Sequence, residues 1–318
     1  MAPTAASNPR STPLEVRIPI SPRPDFLNRV RLIAQSIRDF YPNTIVSVSV
    51  GADAEPFDVT AIAPWSEELG VRWDWVRPDV YAEWRDTPYP FVATIVDRYR
   101  PPYLADHVLM LDADVLPIRP FDELLTRGDV LMAMMAHASP FPNHVEDWRE
   151  LFEAYGLAEP SFEFELSGWG TMVNDPARRL SPPYFNSGVV FGRATMFERL
   201  YEPYVAGLRF IKGRMSTYFF DQIALTLAIA RAKIPLNILP LRYNFPNQPE
   251  FDAAHPDELR NLVLLHFLRT QIIDRDKDFE SNDAIRELIK RSDLTGSNEV
   301  LRRRIAALAD MTLNRTLR

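Results

Sequence analysis

The chain has 318 residues, with 36 Lys and Arg against 43 Asp and Glu, and it contains no Cys. A chain of this length and ordinary composition, 46% hydrophobic and 25% charged, is typical of one large globular domain or two small ones sharing a core. The net charge of -7 argues against a general nucleic-acid binder, and the lack of Cys excludes disulfides, a thiol nucleophile and a thiolate zinc site. The absence of Cys fits a reducing compartment, so we expect a cytoplasmic protein.

The first 13 residues are rich in Ala, Ser, Thr and Pro and lack the apolar stretch of a secretory signal, so residues 1–13 are predicted to be a flexible tail. No segment approaches the roughly 18 apolar residues of a membrane-spanning helix.

The first half of the chain then alternates predicted strands and helices. In chain order these are a strand at Leu14–Ile20, a helix at Asp25–Tyr41, strands at Thr44–Val50 and Val71–Val76, a helix at Phe91–Tyr99 and a strand at Val108–Leu111. The last strand is apolar throughout, as in a strand that is buried on both faces. This order predicts a parallel, doubly wound α/β sheet.

The second half is less regular. Predicted strands lie at Val130–Met135, Gly188–Phe191, Pro235–Leu239 and Leu262–Leu265, predicted helices at Met196–Arg209 and Phe219–Ala232, and two more helices broken at Gly296 follow Ser281. Residues 139–183 form a long, aromatic-rich stretch around a predicted helix at His144–Tyr155. Insertions of this length are usually functional loops.

The most specific local feature is VLMLDADV, an apolar strand that ends in Asp112-Ala113-Asp114. In an extended chain the side chains at i and i+2 point to one side, and two carboxylates there repel unless a cation lies between them or one is protonated. Ligands of open α/β sheets bind at the carboxyl ends of strands, and carboxylate oxygens suit Mg²⁺ or Mn²⁺. The alternative is a polar turn after a strand.

Three later segments add polar groups at the ends of predicted elements. Asn186-Ser187-Gly188 is predicted to be a turn that enters a strand, Asp221-Gln222 opens a helix, and His266 ends an apolar strand. Each has a simpler explanation on its own: a loop, a helix cap and a structural histidine, respectively.

Taken together and in this order, the four segments MLDADVLPIRPFDELL, YFNSGVVFG, DQIALTLA and LLHFLR resemble the nucleotide-sugar-dependent glycosyltransferases of the GT-A fold. The resemblance is strongest to glycosyltransferase family 8, the glycogenin and galactosyltransferase-like family. It implies a Rossmann-like, mostly parallel central sheet flanked by helices, with a glycosyltransferase domain over residues 14–275 and a C-terminal helical extension over 276–318. It also implies a UDP-sugar as the favoured donor and retention of anomeric configuration.

The resemblance implies a role for each matching residue. Asp112, Asp114 and His266 would hold a divalent cation, Mn²⁺ or Mg²⁺, and Asp112 would also lie near the donor ribose. Asn186 and Ser187 would line the donor-sugar pocket, and the strand Leu14–Ile20 with its following loop would flank the base. The expected roles of the remaining residues are a donor contact for Arg98 and a place beside the anomeric carbon for Asp221 and Gln222.

The chain departs from the family after His266-Phe267, where Leu268-Arg269-Thr270-Gln271 replaces the Gly and the later Lys that grips the diphosphate. Because guanidinium binds phosphate well, Arg269 is the predicted substitute.

Within residues 139–183, Trp169 is the candidate for contact with a glycan, lipid or protein acceptor, since aromatic faces stack on sugar rings; a hydrophobic cap is the alternative.

Three other functions remain open at this point. A nucleotidyltransferase would need a glycine-rich phosphate loop after the first strand, a glycoside hydrolase would place its carboxylates on both sides of a sugar bond, and a catalytically silent sugar- or nucleotide-binding module would share the same scaffold.

Near the C-terminus, Arg302-Arg303-Arg304 lies beside the apolar stripe of Leu301, Ile305 and Leu308. That pattern fits either weak contact with an anionic membrane surface or packing on the domain.

Overall fold

The computed structural model describes residues 12–51, 58–85, 87, 91–136, 142, 144–165, 180–268 and 270–316, with side chains to residue 309. Arg269 and Trp169 lie outside the described residues, as do residues 1–11 of the expected tail and part of the 139–183 stretch.

The described helices and strands follow one another in a largely alternating order. The first half comprises β1 (Leu14–Ile20), α1 (Pro24–Phe40), β2 (Ile45–Val50), α2 (Trp65–Glu68), β3 (Val71–Trp75), α3 (Pro78–Arg85), α4 (Val92–Arg98), β4 (His107–Leu111), β5 (Val115–Pro117), α5 (Asp122–Leu125) and β6 (Leu131–Met135). The second half comprises α6 (Val145–Ala154), β7 (Phe164–Glu165), β8 (Leu180–Ser181), β9 (Phe185–Arg193), α7 (Ala194–Lys212), α8 (Phe220–Ala232), β10 (Leu236–Ile238), β11 (Phe245–Pro246), α9 (Pro249–Ala254), α10 (Pro256–Arg260), β12 (Leu264–His266), α11 (Asn282–Lys290) and α12 (Gly296–Thr316). Short 3₁₀ helices lie at Val59–Ala61 and Leu241–Tyr243.

Seven strands form the central sheet in the order β10-β6-β9-β4-β1-β2-β3. All its pairings are parallel except those of β9, which runs antiparallel to both β4 and β6. This confirms the mostly parallel α/β sheet. A second small sheet, β11-β12-β5, lies beyond the end of β4, and it positions His266.

The two faces of the sheet carry two separate apolar cores. On β1, alternate residues such as Val16 and Ile18 point into the core beneath α1, α11 and α12. On β4, whose five residues are all buried, Val108 and Met110 point the other way, toward α4, α7 and α8. Because both faces of β4 are covered, its carboxyl end is held rigidly at the centre of the sheet.

Several segments differ from the sequence predictions, and β9 and α3 are two of them. The strand predicted to begin at Gly188 begins at Phe185, so Asn186-Ser187 belongs to β9 and is not a turn. β9 begins this early because Phe185 pairs with Met135 of β6. The register of that pairing shifts between Ala133 and Met135, so Asn186 and Ser187 lie beside an irregularity in the ladder. The helix α3 was not predicted, since it is short and only Val80 and Trp84 of its side chains are buried.

The C-terminal helices pack on the domain through the predicted stripe. Leu301, Ile305 and Leu308 are fully buried in the same core as α1, and Arg304 pairs with Asp39 at 2.9 Å and donates to Ser36 Oγ at 2.8 Å. The stripe therefore serves internal packing, which favours the second explanation offered above. Within the described part of the chain, no helix has the length and apolar character needed to cross a bilayer.

Candidate active site

The candidate site is built around the residues that follow β4. Asp112 continues the ladder with β9, because its N–H donates to the Gly188 carbonyl at 2.9 Å. A tight turn follows, in which the Val115 N–H donates to the Asp112 carbonyl at 3.1 Å. The extended geometry expected for Asp112-Ala113-Asp114 is therefore wrong, although both carboxylates still lie at the carboxyl end of the strand.

The small second sheet brings His266 to this turn. β12 pairs antiparallel with β5, which places His266 opposite Val115, and the Phe267 N–H donates to the Asp114 carbonyl at 2.8 Å. As a result, Asp112, Asp114 and His266 present ligand atoms that all lie within 4.8 Å of one another. The three residues predicted as metal ligands are thus gathered in one place.

A chain of side-chain amides orients the imidazole. His266 Nδ1 lies 2.9 Å from Asn244 Oδ1, and Asn244 Nδ2 donates to Asn186 Oδ1 at 2.8 Å. An amide oxygen can only accept, so Nδ1 carries the proton and Nε2, 3.3 Å from Asp114 Oδ1, keeps its lone pair. Burial lowers the pKa of His266, against the opposing effect of Asp112, and so favours the neutral ring that binds metals.

Gly188 allows these groups to approach each other closely. A Cβ at this position would lie 2.8 Å from Asn186 Oδ1, 3.0 Å from His266 Cε1 and 3.3 Å from Asp112 Oδ2. Any side chain would therefore push apart the carboxylate and the imidazole. The glycine of the predicted Asn-Ser-Gly segment is needed for space, not for a turn.

Asp221 and Ser187 form a second polar pair beside the predicted metal ligands. Ser187 Oγ donates to Asp221 Oδ2 at 2.7 Å, and Asp221 is 4% exposed at the start of α8. Burial raises the pKa of Asp221 to about 6, with Asp112 acting in the same direction and Ser187 opposing it. Gln222, the next residue, is also buried.

Arg98 lies behind the carboxylates. Its fully buried guanidinium donates from Nη1 to Asp112 Oδ1 at 2.7 Å and from Nη2 to the Ser187 carbonyl at 3.0 Å. Arg98 therefore connects β4 to β9 and fixes the Asp112 carboxylate. It acts on the site through Asp112.

These groups open into a cavity of about 220 Å³ at the carboxyl ends of β1 and β4. Its lining includes the predicted residues Asp112, Asp114, Ser187, Asp221 and Gln222, together with Ile20 and Ser21 from the end of β1. It also includes residues that the sequence analysis did not identify, namely Phe26, Arg29, Phe91, Thr94, Tyr218 and Arg275.

Of the residues that the sequence analysis missed, Asn244 had a weak signal in the sequence and Arg275 had none. Asn244 is a fully buried amide between Tyr243 and Phe245, and a polar residue between two aromatic ones hints at a buried hydrogen bond. Arg275 stands between Asp274 and Asp276, which resembles an ordinary solvated run of charges.

The donor set suits a divalent cation. Two carboxylates and one neutral imidazole offer the oxygen and nitrogen ligands that Mn²⁺ accepts, and Mg²⁺ prefers the oxygens. The amide chain that orients His266 and the space provided by Gly188 fit the same purpose.

Comparison with known proteins agrees with this arrangement. A family model described as a Rhodobacterales glycosyltransferase domain matches residues 31–233. No curated protein matches the sequence.

Several solved structures share the fold. A galactosyltransferase, LgtC, in complex with donor and acceptor sugar analogues is 17% identical, with 86% of this chain and 93% of that chain covered and a TM-score of 0.51. An active-site mutant of LgtC is 16% identical over the same shares, with a TM-score of 0.52. The apo glycosyltransferase GlyE of Streptococcus pneumoniae TIGR4 is 14% identical over 96% of this chain and 64% of that chain, with a TM-score of 0.51. At these identities the likeness establishes the GT-A fold.

Proposed function

Because the chain belongs to the family of Rhodobacterales glycosyltransferase domains, we propose that it transfers a sugar from a nucleoside diphosphate sugar to a glycan, lipid or protein acceptor. A UDP-sugar is the favoured donor, and the transfer retains the anomeric configuration. The observation that carries the proposal is that Asp112 and Asp114, two of the three clustered metal ligands, line the same cavity as Asp221 and Gln222.

Asp112, Asp114 and His266 would hold the divalent cation. When bound, such an ion supplies a Lewis acid that stabilises negative charge on a leaving diphosphate. The protein's own contribution is to hold the ligands in place: Arg98 fixes Asp112, Asn244 fixes His266, and the Phe267 N–H fixes the backbone of Asp114.

Asp221 and Gln222 would act on the sugar. A glycosyl group becomes cation-like as its bond to phosphate breaks, and a buried carboxylate beside it stabilises that charge. With its pKa raised to about 6, Asp221 is ionised above that pH, and the Ser187 hydroxyl orients it. Gln222 offers an amide oxygen from the next position of α8.

The other walls of the cavity suit the remaining parts of the donor. Ile20 and Ser21, at the end of β1, line the cavity and would flank the base. Phe91 and Tyr218 lie with their ring centroids 5.5 Å apart, and Tyr218 is 53% exposed, so they offer an aromatic surface to a sugar ring. Residues 139–183, including Trp169, remain the part of the chain that we predict to contact the acceptor.

A thermal-shift titration tests the proposal. UDP, GDP, CDP and ADP are each added with Mn²⁺ and again with chelator, because a ligand that binds the native state alone raises the melting temperature. We expect one diphosphate, UDP first, to stabilise the protein only when Mn²⁺ is present. The corresponding sugar nucleotide should then lose its sugar to an acceptor.

Two variants sharpen the test. Asp114→Asn should abolish the Mn²⁺-dependent shift while the protein still folds, whereas Asp129→Asn, a change at a carboxylate that is 70% exposed, should leave the shift intact. Metal-independent release of free sugar from a simple glycoside would instead favour a hydrolase. Binding without turnover across a panel of acceptors would favour a silent module.

A further inference from the structure

A guanidinium group already faces the carboxylate that the proposed cation would use. Arg275 lines the cavity, and its Nη1 contacts Asp114 Oδ2. The other oxygen of Asp114, Oδ1, faces His266 Nε2 at 3.3 Å. Asp114 is 9% exposed and Arg275 28%, so the pair is largely shielded from water and its attraction is stronger than at the surface.

The contact is part of an ordered turn. The Asp274 N–H donates to Asp278 Oδ2 at 2.7 Å, and the Asp278 N–H donates back to the Asp274 carbonyl at 2.7 Å. One residue beyond, Phe279 is fully buried and stacks on Phe267 with ring centroids 5.0 Å apart. The turn that carries Arg275 is therefore anchored to the residue that follows His266.

The neighbouring guanidinium has a different role. Arg29 also lines the cavity, but it pairs with Asp25 at 2.6 Å on its own helix, and both side chains are buried. Arg275 is directed across the cavity to Asp114 instead. Of these two arginines, Arg275 is the one whose movement would change the charge at the metal ligands.

We propose that Arg275 competes with the divalent cation for Asp114, and that the diphosphate of the donor resolves the competition by taking up the released guanidinium. This rests on the proposed function, because it assumes a metal ion and a nucleoside diphosphate in the cavity. A guanidinium and a dication on one carboxylate repel each other, while a guanidinium forms paired hydrogen bonds with phosphate oxygens. Metal and diphosphate then bind cooperatively, and each tightens the other by the same factor.

Arg275 also offers a replacement for the lysine that follows the His-Phe pair in family 8 and that this chain lacks. The sequence offers Arg269 as the substitute, whereas the contacts of the described residues favour Arg275. It stands nine positions after His266 and reaches the cavity because the 274–278 turn folds back on β12.

Isothermal titration of the full chain with MnCl₂, alone and with saturating UDP, tests this inference. For the wild type we expect UDP to tighten Mn²⁺ binding by at least about fivefold, the lower end of typical coupling between sites. Arg275→Gln should bind Mn²⁺ alone at least about fivefold more tightly than the wild type, and UDP should then tighten Mn²⁺ binding by a smaller factor than it does in the wild type. Arg275→Lys, which keeps the charge but not the planar fork, should fall between the two.

Lys277→Gln is the matched control, since it removes one positive charge from the same turn at a side chain that is 78% exposed. It should behave as the wild type, and a thermal melt in chelator confirms that each variant is folded. Unchanged or weaker binding of Mn²⁺ alone to Arg275→Gln would overturn the competition. A wild-type protein that binds neither Mn²⁺ nor UDP would instead overturn the proposed function.

Discussion

The buried carboxylate of Asp221 lowers the stability of the protein at neutral pH. Its pKa is raised from 3.8 to about 6, chiefly because burial disfavours the charged form. A rise of roughly two units corresponds to about 3 kcal/mol of unfolding free energy. Because the pKa of the folded state is the higher one, stability from this group is present below about pH 4 and is lost as the pH rises through 6.

Asp221→Asn should remove this penalty. An amide is neutral at every pH, and its oxygen can still accept the hydrogen bond from Ser187 Oγ, which now reaches Asp221 Oδ2 at 2.7 Å. At pH 8 we expect the free energy of unfolding of the variant to exceed that of the wild type by up to about 3 kcal/mol. At pH 5, where the native carboxyl is already mostly protonated, the difference should be about 1 kcal/mol smaller. It should also lose most of its transferase activity, since the carboxylate is gone.

Urea unfolding at pH 5 and pH 8, in chelator so that no metal ion contributes, measures both quantities. Asp293→Asn is the control, because Arg291 lowers the pKa of that exposed carboxyl and the substitution should give no gain. An Asp221→Asn protein that is no more stable than the wild type at pH 8 would refute the reasoning. A gain in unfolding free energy that is equal at pH 5 and pH 8 would also refute it.

Three further substitutions test other parts of the site and the fold. Gly188→Ala should abolish Mn²⁺-dependent stabilisation by UDP, measured by thermal shift, because its Cβ would lie against His266 and Asp112; Gly128→Ala, whose Cβ would meet nothing within 4 Å, should not. Ser187→Ala removes the hydrogen bond that lowers the pKa of Asp221, so the acidic limb of the pH–rate profile should move up by about one unit, and an unmoved limb would count against Asp221 as the titrating group. Leu301→Ala should cost about 2–5 kcal/mol in urea unfolding without changing binding to anionic vesicles, and a loss below about 1 kcal/mol would contradict the packing of α12 on the core.

The sheet was largely predictable because its strands carry strong local patterns. β1 and β2 alternate between the two faces, and β4 is apolar throughout, so periodicity alone located them to within about a residue. The direction of β9 was not predictable in this way. Whether a strand runs parallel or antiparallel depends on how the preceding loop returns to the sheet, and the pattern of the strand does not encode that.

The candidate site was also predictable only in part. Asp112 and Asp114 were identified as a carboxylate pair after an apolar strand. His266 ends another apolar strand, and the resemblance to family 8 linked it to the same site. Asn244 and Arg275 were missed, since their importance comes from contacts with residues distant in the chain: Asn244 with His266, and Arg275 with Asp114. Charge pairing across a cavity leaves no periodic trace in the sequence.

The antiparallel course of β9 has a consequence for how relatives of this protein can diverge. Met135, the last residue of β6, and Phe185, the first of β9, are partners across the sheet, so the chain between them leaves and re-enters the sheet at one point. Closing a flexible loop between ends that are already fixed costs only about 0.6 kcal/mol for each doubling of its length. We therefore expect the parts of this stretch outside α6, which buries Trp148, Leu151 and Phe152 in the core, to vary in length and composition among relatives. Under the proposed function, acceptor preference would then diversify while Asp112 and Asp114 keep their places at the end of β4.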